Sequence, residues 1–428
     1  MGASSHDEGQ TLTSIEICAG AGGQAIGLHG AGFRHLALVE YDKYAHATLE
    51  ANFSSAGEWG ECEVLREDLI DEFDPRRPMK MLGGSELQPG ELSLLSGGVP
   101  CPPFSVAGKQ LGGDDERDLF PRMLQLVEIL DPQAIMIENV RGIMDSKFDE
   151  YCESIIDDLR DAGYWFCGWH LLEAHDFGVP QLRPRSVLVA IKDERRKKAG
   201  LGMDEFPWPV GVVDPRVTVF QILEKSMRQR RDALSRRFPE RKGEFRAAYK
   251  KWREKAKDRL DVAPTLVGGS RKHGGADLGP SRAKAAWAAL GVNAMGVADE
   301  TADSKDPVRD FLRPEGPMLT VQQAAAIQSF PEGWKFAGGK TARYRQVGNA
   351  FPPPVANAVG RAIASVLQPE KRGELLKGLT IRHLGARRGK REYLQPELGE
   401  FSVVPARTEA SVTPAPPDLS RDLVSADV

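Results

Sequence analysis

Five cysteines in 428 residues are too few, too scattered and of the wrong parity for a disulfide framework. No C-x-x-C pair occurs among Cys18, Cys62, Cys101, Cys152 and Cys167, which argues against a thiolate zinc site. Eight histidines form no H-E-x-x-H or related pattern, so no metal is expected. No apolar run approaches the ~20 residues that a membrane-crossing helix needs. The polar opening "MGASSHDEGQTLT" lacks the apolar core of a signal peptide. No membrane partner is expected, and the cytoplasm is the default location. A net charge of −4 says nothing for or against nucleic acid, and no internal repeat is visible.

What is present fits a soluble globular protein, 41% hydrophobic and 28% charged, long enough for two domains. The charge is unevenly placed. From Lys225 to Arg259 there are fifteen Lys or Arg against five Asp or Glu, which leaves about −14 on the rest of the chain. Such segregation points to a partner, although helical charge runs are often only solvated faces.

From Ser14 to about Ile191, short apolar runs alternate with amphipathic stretches. "SIEICAG", "HLALVE", "LSLLSGG", "AIMIENV" and "SVLVAI" read as buried strands. "DLFPRMLQLVEIL" and "DEYCESIIDDLRDAG" carry apolar residues at helical spacing. This alternation predicts an α/β fold, with a mostly parallel sheet covered on both faces. A charged break, "KDERRKKAG", and the proline-rich "FPWPVGVVDPRV" then lead into a basic, helical stretch and a glycine-rich loop, "GGSRKHGGADLG". A second, smaller domain is expected at 200–310. A compact helical pattern returns from Arg313 to Leu367, and 401–428 has the composition of a disordered tail.

Gly20-Ala21-Gly22-Gly23-Gln24-Ala25 fits G-x-G-x-x-[GA] after the first strand, and Glu40 follows Gly20 by twenty residues. Such a turn lets backbone approach a nucleotide closely while the carboxylate accepts ribose hydroxyls. Both a nicotinamide dinucleotide and S-adenosylmethionine carry a ribose, so this motif alone leaves the ligand open, and an ordinary tight turn remains possible. Further along, Cys101 follows the strand "LSLLSGG" directly, in "GGVPCPPFSVAGKQ". The carboxyl ends of strands are where open α/β sheets place reactive groups, and the flanking Pro100, Pro102 and Pro103 stiffen the chain. A lone cysteine is also commonly inert packing. Glu138 ends "AIMIENV", and its apolar approach tends to raise a carboxyl pKa.

Taken in order over about residues 14–367, these segments resemble the DNA (cytosine-5) methyltransferase family. "EICAGAGG" is similar to the methionine-binding turn, "VEYDKYA" to the ribose and adenine segment, and "EDLID" to the segment meeting the adenine amino group. "GGVPCPPFSVAGKQ" resembles the nucleophile loop, "ENVRG" the acid and "QLRPR" the Q-x-R-x-R element. "LTVQQAAAIQSFP" and "YRQVGNAFPPPVANAV" resemble the two closing motifs. Pro102 and Val99 depart from it, standing where many members carry Gln and Pro.

The resemblance implies a Rossmann-like, S-adenosylmethionine-dependent methyltransferase fold with a smaller target-recognition domain. Residues 14–195 would form the catalytic domain, 200–310 the recognition domain, and 313–367 a return segment completing the first. It also implies the roles of individual residues. Cys101 would attack cytosine C6, Glu138 would hydrogen-bond the base, and Arg185 would contact its O2 with Arg183 in support, while Asn139 orders the loop. Glu16, Cys18, Ala19, Gly20, Gly22 and Gly23 would hold the methionine end of S-adenosylmethionine. Glu40 would take the ribose, Tyr41 would pack on adenine, and Asp68 with Leu69 would meet its edge, with Pro100, Gly348 and Asn349 completing the pocket.

A cytosine must leave the duplex stack before C6 can be attacked. Ser105, Lys109, Gln110 and Arg117 are candidates for contacts around the extruded nucleotide, and Arg271 and Lys272 for guanine contacts. The basic stretch suits phosphates, which position a protein without reading sequence. The implied partners are double-stranded DNA and a separately encoded restriction endonuclease. The implied setting is a monomer in the bacterial cytoplasm, associated with the nucleoid through DNA. RNA is the second substrate reading, disfavoured by the sizeable recognition region. A silent DNA-binding regulator is disfavoured by the joint presence of Cys101, Glu138 and Arg185, and a dehydrogenase by the lack of hydride-transfer signatures.

Overall fold

The apolar runs form strands in the computed structural model, which describes residues 11–53, 57–67, 73–100, 118–212, 217–259, 261–268 and 276–385. The strands of the main sheet are β1 (Leu12–Ile17), β2 (Phe33–Val39), β3 (Glu63–Leu65), β4 (Leu94–Gly97), β5 (Ala134–Val140), β6 (Tyr164–Glu173) and β7 (Pro184–Lys192). Among the described residues they lie in the order β3-β2-β1-β4-β5-β7-β6. All pairings from β3 through β5 are parallel. β7 then runs antiparallel between β5 and β6. The expected mostly parallel sheet therefore carries an antiparallel flank. Its outer strand, "YWFCGWHLLE", has a register shift between Phe166 and Gly168 that interrupts a simple alternating pattern.

The helices are α1 (Gly23–Gly30), α2 (Lys43–Asn52), α3 (Phe120–Leu130), α4 (Asp149–Asp161), α5 (Asp193–Lys198), α6 (Val219–Arg237), α7 (Lys242–Arg259), α8 (Ser281–Ala289), α9 (Pro307–Phe311), α10 (Val321–Ile327), α11 (Lys340–Asn349), α12 (Pro353–Leu367) and α13 (Arg372–Leu375). Strand period decides which core each residue joins. Ile135 and Ile137 of β5 pack with Met123 and Leu126 of α3 and Ile155 of α4. Ala134 and Met136 turn to the opposite face and join Leu28 of α1 with Val359 and Ile363 of α12.

A third apolar cluster is built from helices. Leu223 and Met227 of α6, Trp252 of α7, Trp287 of α8 and Phe311 of α9 are buried together. Phe245, Tyr249, Trp252 and Ala256 form the inner stripe of α7 at steps of three and four, which leaves its lysines and arginines outside. Thr218 and Gln221 cap α6 reciprocally, and Thr320 and Gln323 do the same for α10.

One boundary differs from the expected division. Strand β8 (Pro207–Val212) pairs antiparallel with β9 (Leu379–His383), not with anything in the helical cluster. Trp208 is buried beside α12 residues, and its indole N–H donates to the Cys167 carbonyl at 2.9 Å. Residues 207–212 thus side with the sheet. A two-stranded edge pairing also explains how prolines 207 and 209 are tolerated in a strand. The tail expected to be disordered, 401–428, lies outside the described residues. Among the described residues no helix is long and apolar enough to cross a membrane.

Candidate active site

The carboxyl ends of β1, β2, β4 and β5 open onto one cavity of about 330 Å³. Its wall includes Glu16, Cys18, Gly20, Gln24, Glu40 and Glu138, closed from the far side by Arg345, Gln346, Asn349 and Phe351. The chain leaves β1 through Cys18 at φ 53 and Gly20 at φ 56, and reverses into α1. The Gly20 N–H donates to Glu40 Oε2 at 2.6 Å and the Asp42 N–H to Oε1 at 2.7 Å. The predicted ribose carboxylate is thereby held rigid, with lone pairs remaining on both oxygens.

Burial raises the Glu40 carboxyl pKa, and its two backbone hydrogen bonds oppose the rise. Glu16 is fully buried, and its pKa lies well above the usual carboxylate range, chiefly from burial and further from the charges of Glu40 and Glu138. The Gln24 amide lies against Glu16 and opposes this rise, yet Glu16 Oε2 and both Gln24 amide atoms make no well-aligned hydrogen bond among the described residues. Orphaned buried polar atoms facing a cavity call for a polar ligand.

Tyr41 does not reach this cavity. Its side chain is 73% exposed, and Tyr44 stands on the wall instead. Asp42 explains the substitution: its carboxylate accepts from the Tyr44 and Ala45 N–H groups at 2.9 and 3.0 Å, starting α2 so that the third residue after Tyr41 faces inward. α11 is fixed to α2 by Thr48, whose hydroxyl donates to Gln346 Oε1 at 2.5 Å and accepts from the Ala337 N–H at 2.8 Å.

At the other end of the cavity, Glu138 on β5 and Arg185 on β7 form an ion pair, Nε to Oε1 2.8 Å, each about 12% exposed. The antiparallel register, which sets Val140 opposite Arg185, brings them together. Burial raises the Glu138 pKa, while Arg185 and Arg183 hold it down. Gly98 makes room for this carboxylate: a Cβ there would stand 3.1 Å from Glu138 Oε2. Asn139 donates to the Val99 carbonyl at 2.9 Å, which anchors the chain two residues before Cys101.

Arg183 behaves differently from Arg185. It is wholly buried, and its guanidinium donates to the carbonyls of Leu266 at 2.7 Å, Gly348 at 2.7 Å and Ala350 at 2.9 Å. Placed with the catalytic residues by sequence, it is a clamp on three chain segments and does not line the cavity. Gln181 extends the clamp. Its carbonyl accepts from the Leu266 N–H at 2.7 Å, and its amide donates to Gln328, which donates in turn to Ala350 O at 2.6 Å.

Of the sequence candidates, Glu16, Cys18, Ala19, Gly20, Gly23, Glu40, Glu138 and Asn349 meet at the cavity. Gly22, Tyr41, Pro100, Arg183, Arg185 and Gly348 are not on its wall, although Arg185 touches Glu138 and Gly348 accepts from Arg183. Cys101, Asp68, Leu69, Ser105, Lys109, Gln110, Arg117, Arg271 and Lys272 lie outside the described residues. Gln24, Tyr44, Arg345, Gln346 and Phe351 are wall residues that sequence reasoning did not single out. Gln24 lay inside the glycine motif and was legible there, whereas the others depend on how α2 and α11 dock.

The cavity fits S-adenosylmethionine on these observations. Three clustered carboxylates suit a ligand carrying an ammonium and a sulfonium, which would offset the mutual repulsion that raises Glu16. Glu40 suits a ribose, and the aromatic faces of Tyr44 and Phe351 suit an adenine.

Comparisons with known proteins agree with this chemistry. The family model of C-5 cytosine-specific DNA methylases matches residues 12–365. The chain is 46% identical over 365 residues to the type II methyltransferase M.NaeI of Lentzea aerocolonigenes, covering 85% of this chain and 77% of that one. It is 41% identical over 367 residues to M.NgoMIV of Neisseria gonorrhoeae, covering 84% and 99%. Its fold is similar to a crystal structure described as a DNA modification methyltransferase encoded within an E. coli prophage, with a TM-score of 0.52 at 21% identity over 83% of this chain and 99% of that one. This chain belongs to the C-5 cytosine-specific DNA methylase family and is an S-adenosylmethionine-dependent DNA (cytosine-5) methyltransferase.

Proposed function

We propose that the enzyme modifies one cytosine within a specific word of duplex DNA, as the modification partner of a separately encoded restriction endonuclease. It would work as a monomer in the bacterial cytoplasm on nucleoid DNA. The names of the type II relatives support the modification role. The observation that carries the site reading is the Glu138–Arg185 pair, 2.8 Å apart at the end of the carboxylate-lined cavity.

In this reading Cys101, tethered through Val99 to Asn139, attacks C6 of the extruded cytosine as a thiolate. A free thiol with pKa about 8.5 is only a few per cent ionised at neutral pH, so the complex must stabilise the thiolate. Glu138, with its pKa raised by burial, donates a hydrogen bond to N3, so that negative charge develops at C5 as the S–C6 bond forms. Arg185 contacts the cytosine O2 while holding Glu138 in place. S-adenosylmethionine supplies the methyl group that C5 accepts. Loss of the C5 proton and departure of the Cys101 thiolate from C6 restore the aromatic ring as 5-methylcytosine. Arg183 acts at one remove, by fixing the segments that carry Gly348 and Ala350.

Target choice falls to the helical region between the arginine element and the closing motifs, with Arg271 and Lys272 reading guanines and the exposed lysines of α7 meeting phosphates. The test is to incubate the protein and its Cys101→Ser variant with labelled S-adenosylmethionine and mixed-sequence duplex DNA, then map 5-methylcytosine. Methylation at one word by the native protein alone is expected. Equal methylation by Cys101→Ser overturns the nucleophile, and scattered methylation overturns the specificity. Unchanged specificity in Arg271→Ala overturns that residue's part in reading the word.

A further inference from the structure

Among the described residues, a notch of about 20 Å³ opens in the helical half, between α7 and the chain at 291 and 313–316. That is room for one oxygen atom, since a water needs roughly 10–15 Å³ of such space. Lys251, Trp252 and Lys255 line it from one side of α7, at helical steps of three and four. Gly291, Arg313 and Glu315 lie around the rest of its rim.

Inside the notch stands a donor with nothing to bond. Trp252 is 1% exposed, and its indole N–H is buried without a hydrogen-bond partner among the described residues. The Cδ1 atom, bonded to that nitrogen, is turned to the Gly291 wall: a Cβ on Gly291 would stand 3.4 Å from it and 3.3 Å from Lys255 Cβ. Gly291, at φ 74, therefore keeps this space open. A buried indole N–H beside open space calls for an acceptor.

The rim decides what kind of acceptor. Lys251 donates to the Pro314 carbonyl at 2.9 Å, which leaves two of its three ammonium protons for a ligand. The side chains of Lys255 and Arg313 are exposed and hold no ion pair among the described residues. Three cations against the single carboxylate of Glu315 leave the rim at +2. A neutral acceptor would satisfy the indole but not this charge.

We propose that the notch binds one phosphate group: one oxygen enters and accepts from the Trp252 N–H, while the others meet Lys251, Lys255 and Arg313 at the mouth. The guanidinium fork of Arg313 suits two such oxygens at once. Glu315 repels the anion, so the site favours a phosphate already held nearby over a free ion. A backbone phosphate of duplex DNA is of that kind, and this source rests on the duplex reading above. A nucleotide or pyrophosphate presents the same oxygens.

The experiment uses the full chain, the variant Trp252→Phe and the pair Lys255→Gln with Arg313→Gln. Affinity for a duplex carrying the methylated word is measured across salt concentrations. Losing the paired charges should flatten the slope of log K against log salt by about 0.9, as for one phosphate contact, with the word unchanged. Trp252→Phe keeps every charge, so it should weaken binding about five- to tenfold at a native slope. Thermal denaturation checks that Trp252→Phe folds; if it does not, Gly291→Ala, which fills the notch from the opposite wall, takes its place with the same expectation. A second arm titrates pyrophosphate into the DNA-free protein by calorimetry. Binding there that both variants lose, beside native DNA slopes and affinities, assigns the notch to a free phosphate. Native DNA behaviour in both variants without such pyrophosphate binding overturns the proposal. A flattened slope beside native affinity in Trp252→Phe overturns it too, because the cations would then act without the notch. A native protein that binds no duplex overturns the duplex reading instead, and the pyrophosphate arm then decides the notch.

Discussion

Two wholly buried arginines separate the sheet half of the molecule from the helical half. Arg183, at the start of β7, donates to Leu266, Gly348 and Ala350; Arg230, inside α6, donates to the carbonyls of Met318 at 2.6 Å and Asp310 at 3.1 Å and lies over the Phe311 ring. The local chemistry is nearly the same: a planar fork of donors satisfies backbone oxygens that water cannot reach. The consequences differ because of what the oxygens belong to. Arg183 ties together residues 261–268, the Gly348–Asn349 wall and the β7 edge, whereas Arg230 closes α6 onto α9 and α10, donating also to Gln323 at 3.3 Å. In the sheet half a buried cation therefore organises the reacting site. In the helical half it stabilises a platform that presents the lysines of α7 to solvent.

The strongest way to sharpen the contrast is to touch the reacting pair itself. Glu138→Gln preserves shape and removes the titrating proton, and a lost general acid typically costs about 10²–10⁴-fold in rate. We expect kcat to fall by that order with S-adenosylhomocysteine affinity within about threefold of native, measured by tritium transfer and calorimetry. A fall of less than tenfold would remove Glu138 from the chemistry.

Next come the arginines. Arg183→Met leaves the buried Leu266 and Gly348 carbonyls without their side-chain donor and Ala350 with Gln328 alone, and breaking such a buried network costs about 3–5 kcal/mol. Cofactor affinity should fall with stability, since Asn349 loses its support. Arg230→Met is expected to cost about 2–3 kcal/mol in chemical denaturation, with cofactor affinity unchanged. Equal losses of cofactor affinity in both variants would break the comparison, because the two halves would then act as one mechanical unit.

These arginines also show what sequence could reveal. Both stand in segments that the sequence marks, one in Q-x-R-x-R and one in a basic run, but the carbonyls that each one satisfies are fixed only by the fold. The strands that carry the site are legible, because β1, β4 and β5 are short, mostly apolar runs buried along almost their whole length. β8 and β9 are not, since their pairing joins residues about 170 apart and one partner is proline-rich. Tyr41 is the residue that the resemblance names, but a motif fixes a neighbourhood, whereas the Asp42 cap fixes that Tyr44 turns towards the cavity.

A smaller effect concerns a polar group buried in the sheet half. His35 bonds Ser14 Oγ at 2.8 Å and donates to the Ala25 carbonyl at 2.9 Å, and burial lowers its pKa to about 4. The folded state thus binds its proton less readily than the unfolded chain, whose histidine titrates near 6.5. Its contribution is fully present above pH about 6.5 and declines as pH falls through the window down to about 4. His35→Gln should therefore be less stable than native at pH 7.5, and the gap should narrow by about 2 kcal/mol at pH 5. A gap independent of pH in urea titrations would mean that His35 is not buried neutral.

The smallest effect on stability tests the helical half as a charged platform. Lys250, Arg253 and Lys257 are exposed on α7, opposite the buried stripe of Phe245, Tyr249 and Trp252. Replacing all three by Gln removes the contact of Arg253 with the Phe220 ring at 5.9 Å and the exposed Lys250–Glu254 pair, both of which contribute little, so the melting temperature should move by only a few degrees. If this face meets phosphates, each lost contact flattens the dependence of log K on log salt by about 0.9, so the triple variant should lose up to about 3 from the slope. The methylated word should stay the same, because phosphate contacts position without reading bases. A native slope in the triple variant would assign these three cations of α7 to solvation and move the phosphate contacts elsewhere on the chain.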